Sequence, residues 1–164
     1  MNRGSEPPAP NLTVVRVAAG DARVVGLIET HVRLMDASTT DPDACHRLGV
    51  SGLSADHITV FGAFLDDAHD AVGIGAYAHF GEWGEVKSMH VRADRRGLGI
   101  SRQVLAAIEA AACERGARIL RLETGADFHA AIGLYESAGF AACDAFGGYP
   151  AHPFSRFFAK RLAG

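Results

Sequence analysis

Apolar residues recur along this chain with two different periods, and each change of period marks a new element. "LTVVRVA" (12–18) alternates weakly and is β-branched, which predicts an opening strand. In "GDARVVGLIETHVRLMDAS", Val24, Val25, Ile28, Val32 and Met35 return near the helical period behind Asp21, a residue suited to the N-cap. Residues 39–54 are mixed polar with glycine and proline, and read as a loop or short helical turns. Three strand-like runs follow at 57–66, 70–81 and 83–91, separated by turns of hairpin length, so an antiparallel meander is expected.

From Gly97 the period lengthens again. Ile100, Val104, Leu105, Ile108, Ala111 and Ala112 form one apolar stripe of a helix that Gly116 closes. "RILRLET" (118–124) is strand-like, and a strand, helix, strand unit implies a right-handed crossover, placing this strand parallel and adjacent to 83–91. "DFHAAIGLYESAGF" predicts a second helix with Asp127 as its cap and Gly139 at its end. Two strands near "FAACDAF" and "SRFFAKRL" complete the pattern. The fold class is therefore mixed α/β of the α+β kind, with one domain over 11–164 behind a disordered tail at 1–10.

Composition narrows the function classes. At 164 residues, with 48% hydrophobic and 21% charged residues, the chain suits one soluble globular domain. A net charge of −3 argues against nucleic acid as a partner, because that attraction is built on clustered Lys and Arg. The N-terminus lacks a signal peptide's apolar core and no run is long enough to span a bilayer, so no membrane role is expected. Cys45, Cys113 and Cys143 lack the spacing of a disulfide framework or a zinc site, and the histidines show no metal-like pairing. Reduced thiols, a cytoplasmic location and no metal are the expectation.

The densest chemistry lies in "VRADRRGLGISRQVL" (91–105), where arginines and glycines fill the turn between a strand and a helix. A helix N-terminus leaves backbone N–H groups unpaired and carries the positive end of the helix dipole, so glycines that let a ligand approach make it an anion site. Arg95, Arg96 and Arg102 surround this turn, and a diphosphate is the natural guest. Neither the Walker A spacing nor the dinucleotide-binding Gly-x-Gly-x-x-Gly is present, since Arg102 stands where the third glycine would be. On its own the loop is also compatible with a glycine turn carrying solvated arginines.

Arg96-Gly97-Leu98-Gly99-Ile100-Ser101 resembles the Arg-x-x-Gly-x-Gly/Ala motif of the GNAT superfamily of N-acetyltransferases, with serine at the last position. "GEVKSMHV", "LRLETG" and "AIGLYESAGF" stand in that family's order, so the resemblance covers about residues 83–140. It implies a central, mostly antiparallel twisted sheet of about seven strands flanked by helices and splayed between the fourth and fifth. It also implies acetyl-CoA as cosubstrate in that splay, with no metal. The backbone at Met89, His90 and Val91 would receive the pantetheine arm. The loop formed by Arg95, Arg96, Gly97, Leu98, Gly99, Ile100 and Ser101 would take the pyrophosphate. Relatives of this kind often pair through edge strands or C-terminal segments, so a homodimer is compatible with the resemblance.

For the chemistry, the resemblance implies Tyr135 as general acid to the departing thiolate and Glu85 as a carboxylate base. Removing a proton from an alkylammonium at neutral pH costs about 4 kcal/mol, so some group must accept it. Each assignment has a plainer counterpart. Tyr135 also fits an aromatic on the buried face of its helix, and Glu85 with Lys87, on one strand face, also fits a solvated ion pair. Lys87 and His31 could bind a carboxylate on the acceptor, although His31 also fits a helix-surface or partly buried histidine. Thr124 and Glu123 either line the cleft or turn the chain. "FGGYPAHPFSRFFAKRL", with Tyr149 and His152 expected to be exposed, either closes one side of the acceptor pocket or is a rigid connection. The expected activity is acetyl transfer to a primary amine of a small, amino-acid-like or acid-bearing molecule by direct attack. A protein or peptide N-acetyltransferase and a non-catalytic acyl-CoA-binding module are the alternatives.

Overall fold

The β-branched run near the N-terminus forms β1 (Leu12–Val17) in the computed structural model, which describes residues 10–39, 41 and 47–163. The expected tail thus lies outside the described residues except for Pro10, as do Cys45 and part of the loop after the first helix. Asp21 opens α1 (Ala22–Ser38) by accepting the Arg23 amide proton at its side chain. After a short α2 (Val50–Leu53), the meander forms as β2 (Ile58–Leu65), β3 (Gly73–Phe80) and β4 (Trp83–Val91). A 3-10 turn (Ala93–Arg95) leads to α3 (Ile100–Glu114), then β5 (Ile119–Gly125), α4 (His129–Ser137), β6 (Ala141–Ala142) and β7 (Ser155–Arg161). One local expectation fails. Phe128, not Asp127, is the N-cap of α4, because the chain folds back at Gly125 to accept the Phe128 amide, and Asp127 offers only its carbonyl, to His129.

The strands build one seven-stranded sheet in the order β1-β2-β3-β4-β5-β7-β6. Every pair is antiparallel except β4 with β5, as the crossover through α3 requires. Alternation divides the side chains between two cores. Ile74 and Ala76 of β3 pack with Val24, Leu27 and Ile28 of α1, while Tyr77 and Val86 pack on the other face with Ile100, Val104 and Ile108 of α3. Glycines let α3 settle close to β3. A Cβ added at Gly75 would stand 2.6 Å from Val104 and 2.7 Å from the Met89 sulfur, and one at Gly73 would stand 2.6 Å from Ile100.

Two irregularities open the sheet. Along β3 and β4, Ile74 pairs with His90 but Ala76 pairs with Lys87, so β4 carries one extra residue, a bulge centred on Ser88 with φ 54°. Along β4 and β5 the pairing runs only from Trp83–Ile119 to Glu85–Arg121. Beyond that point β5 stays paired with β7 through Gly125, and β4 stays with β3. The two central strands therefore diverge toward their C-terminal ends.

The close approach at Gly75 predicts that Gly75→Ala destabilises the fold by about 1–3 kcal/mol through overpacking. Gly26 is an exposed glycine of α1 with open space around it, so Gly26→Ala should stabilise by roughly 0.5–1 kcal/mol. Denaturant unfolding of the two variants checks the opposite signs.

Candidate active site

A cleft of about 1060 Å³ follows the divergence of β4 and β5 from the N-terminus of α3 to the His31 side of α1. At the α3 end, Gly97 (φ 78°) and Gly99 (φ 73°) hold left-handed conformations with nothing within 4 Å of an added Cβ. The amides of Arg96 to Ser101 make no hydrogen bond among the described residues, so they remain available to a ligand. The arginines divide by role. Arg95 pairs with Asp67 at 2.9 Å and Arg102 donates to Ser137 Oγ at 3.1 Å, whereas Arg96 has no such partner among the described residues and lines the cleft. Leu98 is 52% exposed and outside the lining, but Met89, His90 and Val91 border the cleft with Gly97, Gly99 and Ser101.

Tyr135 reaches the cleft from α4, buried and edge-on to Phe140. Burial, with Glu123 adding to it, pushes its hydroxyl pKa well up, so it remains protonated. It belongs to the α3-side core, and Glu85 and Lys87 point to the other face of the sheet. The pair is not solvated. Glu85 is 5% exposed, Lys87 Nζ donates to its Oε1 at 2.9 Å, and the Tyr149 hydroxyl donates to the same oxygen. Lys87 also reaches Tyr149 Oη at 2.5 Å. Oε2 of Glu85 has no partner among the described residues and is not sealed from solvent.

Tyr149 and His152 are half-buried instead of exposed, because both tie the C-terminal loop down, the first to Glu85 and the second to Asp41 at 2.9 Å. No local signal could have revealed the Tyr149 contact, which joins residues 64 apart. His31 is buried on α1 with its ring 5.4 Å from that of His90. Burial and the neighbouring His90 hold its pKa down to about 4, and burial with Arg96 lowers that of His90. Both rings are neutral at pH 7 and offer hydrogen bonds, not charge. Thr124 and Glu123 line the cleft from β5. Burial raises the Glu123 carboxyl pKa, and the Ser155 hydroxyl and Lys87 oppose that shift. Among the described residues no group of His, Cys, Asp or Glu could hold a metal ion, and no helix is long and apolar enough to cross a membrane.

A histidine held neutral in the fold but protonated when unfolded removes stability as pH falls. The unfolded chain binds the extra proton below about 6.5, and the folded chain binds it only near 4. The His31 contribution should therefore be full above 6.5 and decline by on the order of 3 kcal/mol toward pH 4. Urea unfolding of wild type and His31→Leu between these limits should show a shallower decline in the variant.

The chain matches the acetyltransferase (GNAT) family over residues 28–140. It is 37% identical over 143 residues to the uncharacterized N-acetyltransferase YsnE of Bacillus subtilis (strain 168), covering 85% of this chain and 93% of that protein. It is 36% identical over 155 residues to an IAA acetyltransferase of Azospirillum brasilense, covering 93% and 99%. A structure of a proposed acyl-CoA N-acyltransferase from Klebsiella pneumoniae superposes with a TM-score of 0.77 at 29% identity, covering 93% of this chain and 98% of that one. The same fold appears, at 16% identity and a TM-score of 0.68 over 93% and 94%, in a Salmonella typhimurium protein solved with its cofactor acetyl-CoA. With the mixed seven-stranded sheet and its splayed β4–β5 pair, these matches establish that the chain is an acyltransferase that belongs to the GNAT family.

Proposed function

We propose that the protein transfers the acetyl group of acetyl-CoA to a primary amine of a small molecule by direct attack in a ternary complex. The observation that carries this reading is the cleft itself. It joins an anion cradle at the α3 N-terminus to a strand divergence with Tyr135 on one face and two carboxylates on the other. Acetyl-CoA supplies an activated thioester. The amides of Arg96 to Ser101 and the Arg96 guanidinium would hold its diphosphate, and the free edge of β4 at Met89 to Val91 would pair with the pantetheine arm. A β4 amide beside the Ser88 bulge is the natural donor to the carbonyl oxygen.

Tyr135 lies on the cofactor face, protonated and buried, and would give its proton to the departing sulfur. The acceptor would enter from the opposite face, between α1 and the loop carrying Tyr149. There Glu85 Oε2 can receive its N–H groups. Lys87 has used two of its three donors and keeps one for a polar group of the acceptor, a carboxylate included. His31 adds a neutral imidazole there, while Thr124 on β5 offers its hydroxyl from the Tyr135 face of the sheet. A second cavity of about 380 Å³ beyond Glu85 and Lys87, bounded by Trp83 and Phe80, offers room for the acceptor's body. Enclosure by the tied-down C-terminal loop favours a small acceptor over a folded protein.

Acetyl-CoA at a hundredfold over its dissociation constant should stabilise the protein by about 2.7 kcal/mol, a midpoint rise of several degrees that ATP does not reproduce. Tyr135→Phe should lower kcat by about 10²–10⁴-fold while acetyl-CoA affinity is kept. Thermal titration and thiol-release kinetics over a panel of amino acids and simple alkylamines check both. Undiminished turnover in Tyr135→Phe would remove the acid assignment, and the lack of any acetyl-CoA shift would remove the cradle.

A further inference from the structure

Apolar side chains gather at the mouth of the acceptor half of the cleft. On α1, Leu34 and Met35 follow His31 by three and four residues, hence on one helical face, and all three line the cleft. Leu34 is 45% exposed, and Phe154, which lines the cleft from the C-terminal loop, is 55% exposed. Phe128 adds a second ring. A Cβ at Gly125 would stand 2.8 Å from that ring, and Gly125 shares a sheet face with Glu123 two residues earlier, so Phe128 covers the acceptor side of β5. Single exposed apolar side chains are ordinary, but several lining one cleft make a surface that a ligand can cover.

Phe154 is fixed before any ligand arrives. Its carbonyl accepts the Ala126 amide at 2.8 Å, and its own amide donates to His152 Nδ1 at 3.2 Å. The His152 proton therefore sits on Nε2, 2.9 Å from Oδ2 of Asp41, just beyond the end of α1. A ring held in this way loses little freedom on binding.

Charge selects in the same direction. Lys87 is compensated by Glu85 at 2.9 Å, and Arg47, which also lines the cleft, by Asp36 at 2.5 Å. His31 and His90 are neutral through burial. Glu123 lines the same space with no ion pair among the described residues, so this half of the cleft carries an unpaired negative charge. An ammonium group suits it, and a second carboxylate brought in by the acceptor would meet repulsion with no unpaired cation to offset it.

Resting on the acetyl-transfer reading above, we propose that the acceptor is a primary amine with a compact apolar substituent and no carboxylate, the substituent seated against Leu34, Phe128 and Phe154. Lys87, Glu85 and Tyr149 line both this cleft and the second cavity and are bonded to one another, so a short substituent stays at the mouth. The remaining donor of Lys87 then suits a neutral oxygen.

The test measures acetyl-CoA-dependent acetylation of methylamine, 3-methylbutylamine, leucinol and leucine. From methylamine to 3-methylbutylamine, kcat/KM should rise on the order of 10²-fold, mainly through KM. Leucine is 3-methylbutylamine with a carboxylate added, and it should fall at least about 10²-fold below that amine. Leucinol has the same branch without the charge and should stay well above leucine. Phe154→Ala and Leu34→Ala should each cut the preference for 3-methylbutylamine over methylamine by roughly 5–20-fold, and Phe154→Leu should restore most of it. Isothermal calorimetry gives a readout independent of turnover: N-(3-methylbutyl)acetamide should bind the wild-type protein at least about 10-fold more tightly than N-methylacetamide. Leucine matching 3-methylbutylamine, leucinol as poor as leucine, a flat response to substituent size, or a preference that survives both alanine variants overturns the proposal. Absence of an acetyl-CoA midpoint rise, or of acetylation of every amine in the series, would instead defeat the underlying reading.

Discussion

Past Glu85 and Arg121, β4 and β5 stop sharing hydrogen bonds, and the rest of the site depends on that divergence. Buried backbone groups must find partners, so a gap inside a sheet persists only where something else satisfies them. Here β5 is drawn away by an unbroken ladder to β7, and β4 turns at a bulge whose extra residue, Ser88, takes a left-handed conformation. The freed edge of β4 is where an extended ligand with amide groups can pair as a strand would. Gly73 and Gly75 matter for the same reason, since they bring α3, with its open N-terminus, down against β3 beside the gap.

Charge is distributed along the cleft so that each end suits a different part of the reaction. Arg96 and the α3 amides face the end suited to a diphosphate, and carboxylates line the end suited to an amine. Between them the histidines are neutral through burial, which keeps positive charge from spreading toward the acceptor. Tyr135 and Glu123 stand on opposite faces of the sheet yet interact electrostatically across the gap.

Features governed by short-range pattern were legible in the sequence. The stripe from Ile100 to Ala112, the Asp21 cap, the meander and the parallel crossover all follow from periods and turns within a few residues, and the glycine-arginine loop could be read from helix-end physics. Features made by distant contacts were not. The Tyr149 tie to Glu85 links a loop to a strand far away in the chain, and it turns an apparent surface ion pair into a buried frame. The Ser88 bulge leaves no mark that sequence alone could locate, because serine is not a residue that requires a left-handed backbone. Asp127 has the chemistry of a cap but lies one residue before the turn that sets the helix start. Glu123 was visible only as a strand-end residue, since its environment is built by four other elements.

The claim that the divergence of β4 and β5 is a binding edge is tested most directly by residue-resolved amide hydrogen exchange with and without acetyl-CoA. Slowed exchange confined to the β4 amides around Met89 to Val91 and to the loop amides from Arg96 to Ser101 is the result expected. Unchanged exchange at both places under saturating acetyl-CoA, or protection located elsewhere on the sheet, would contradict the account.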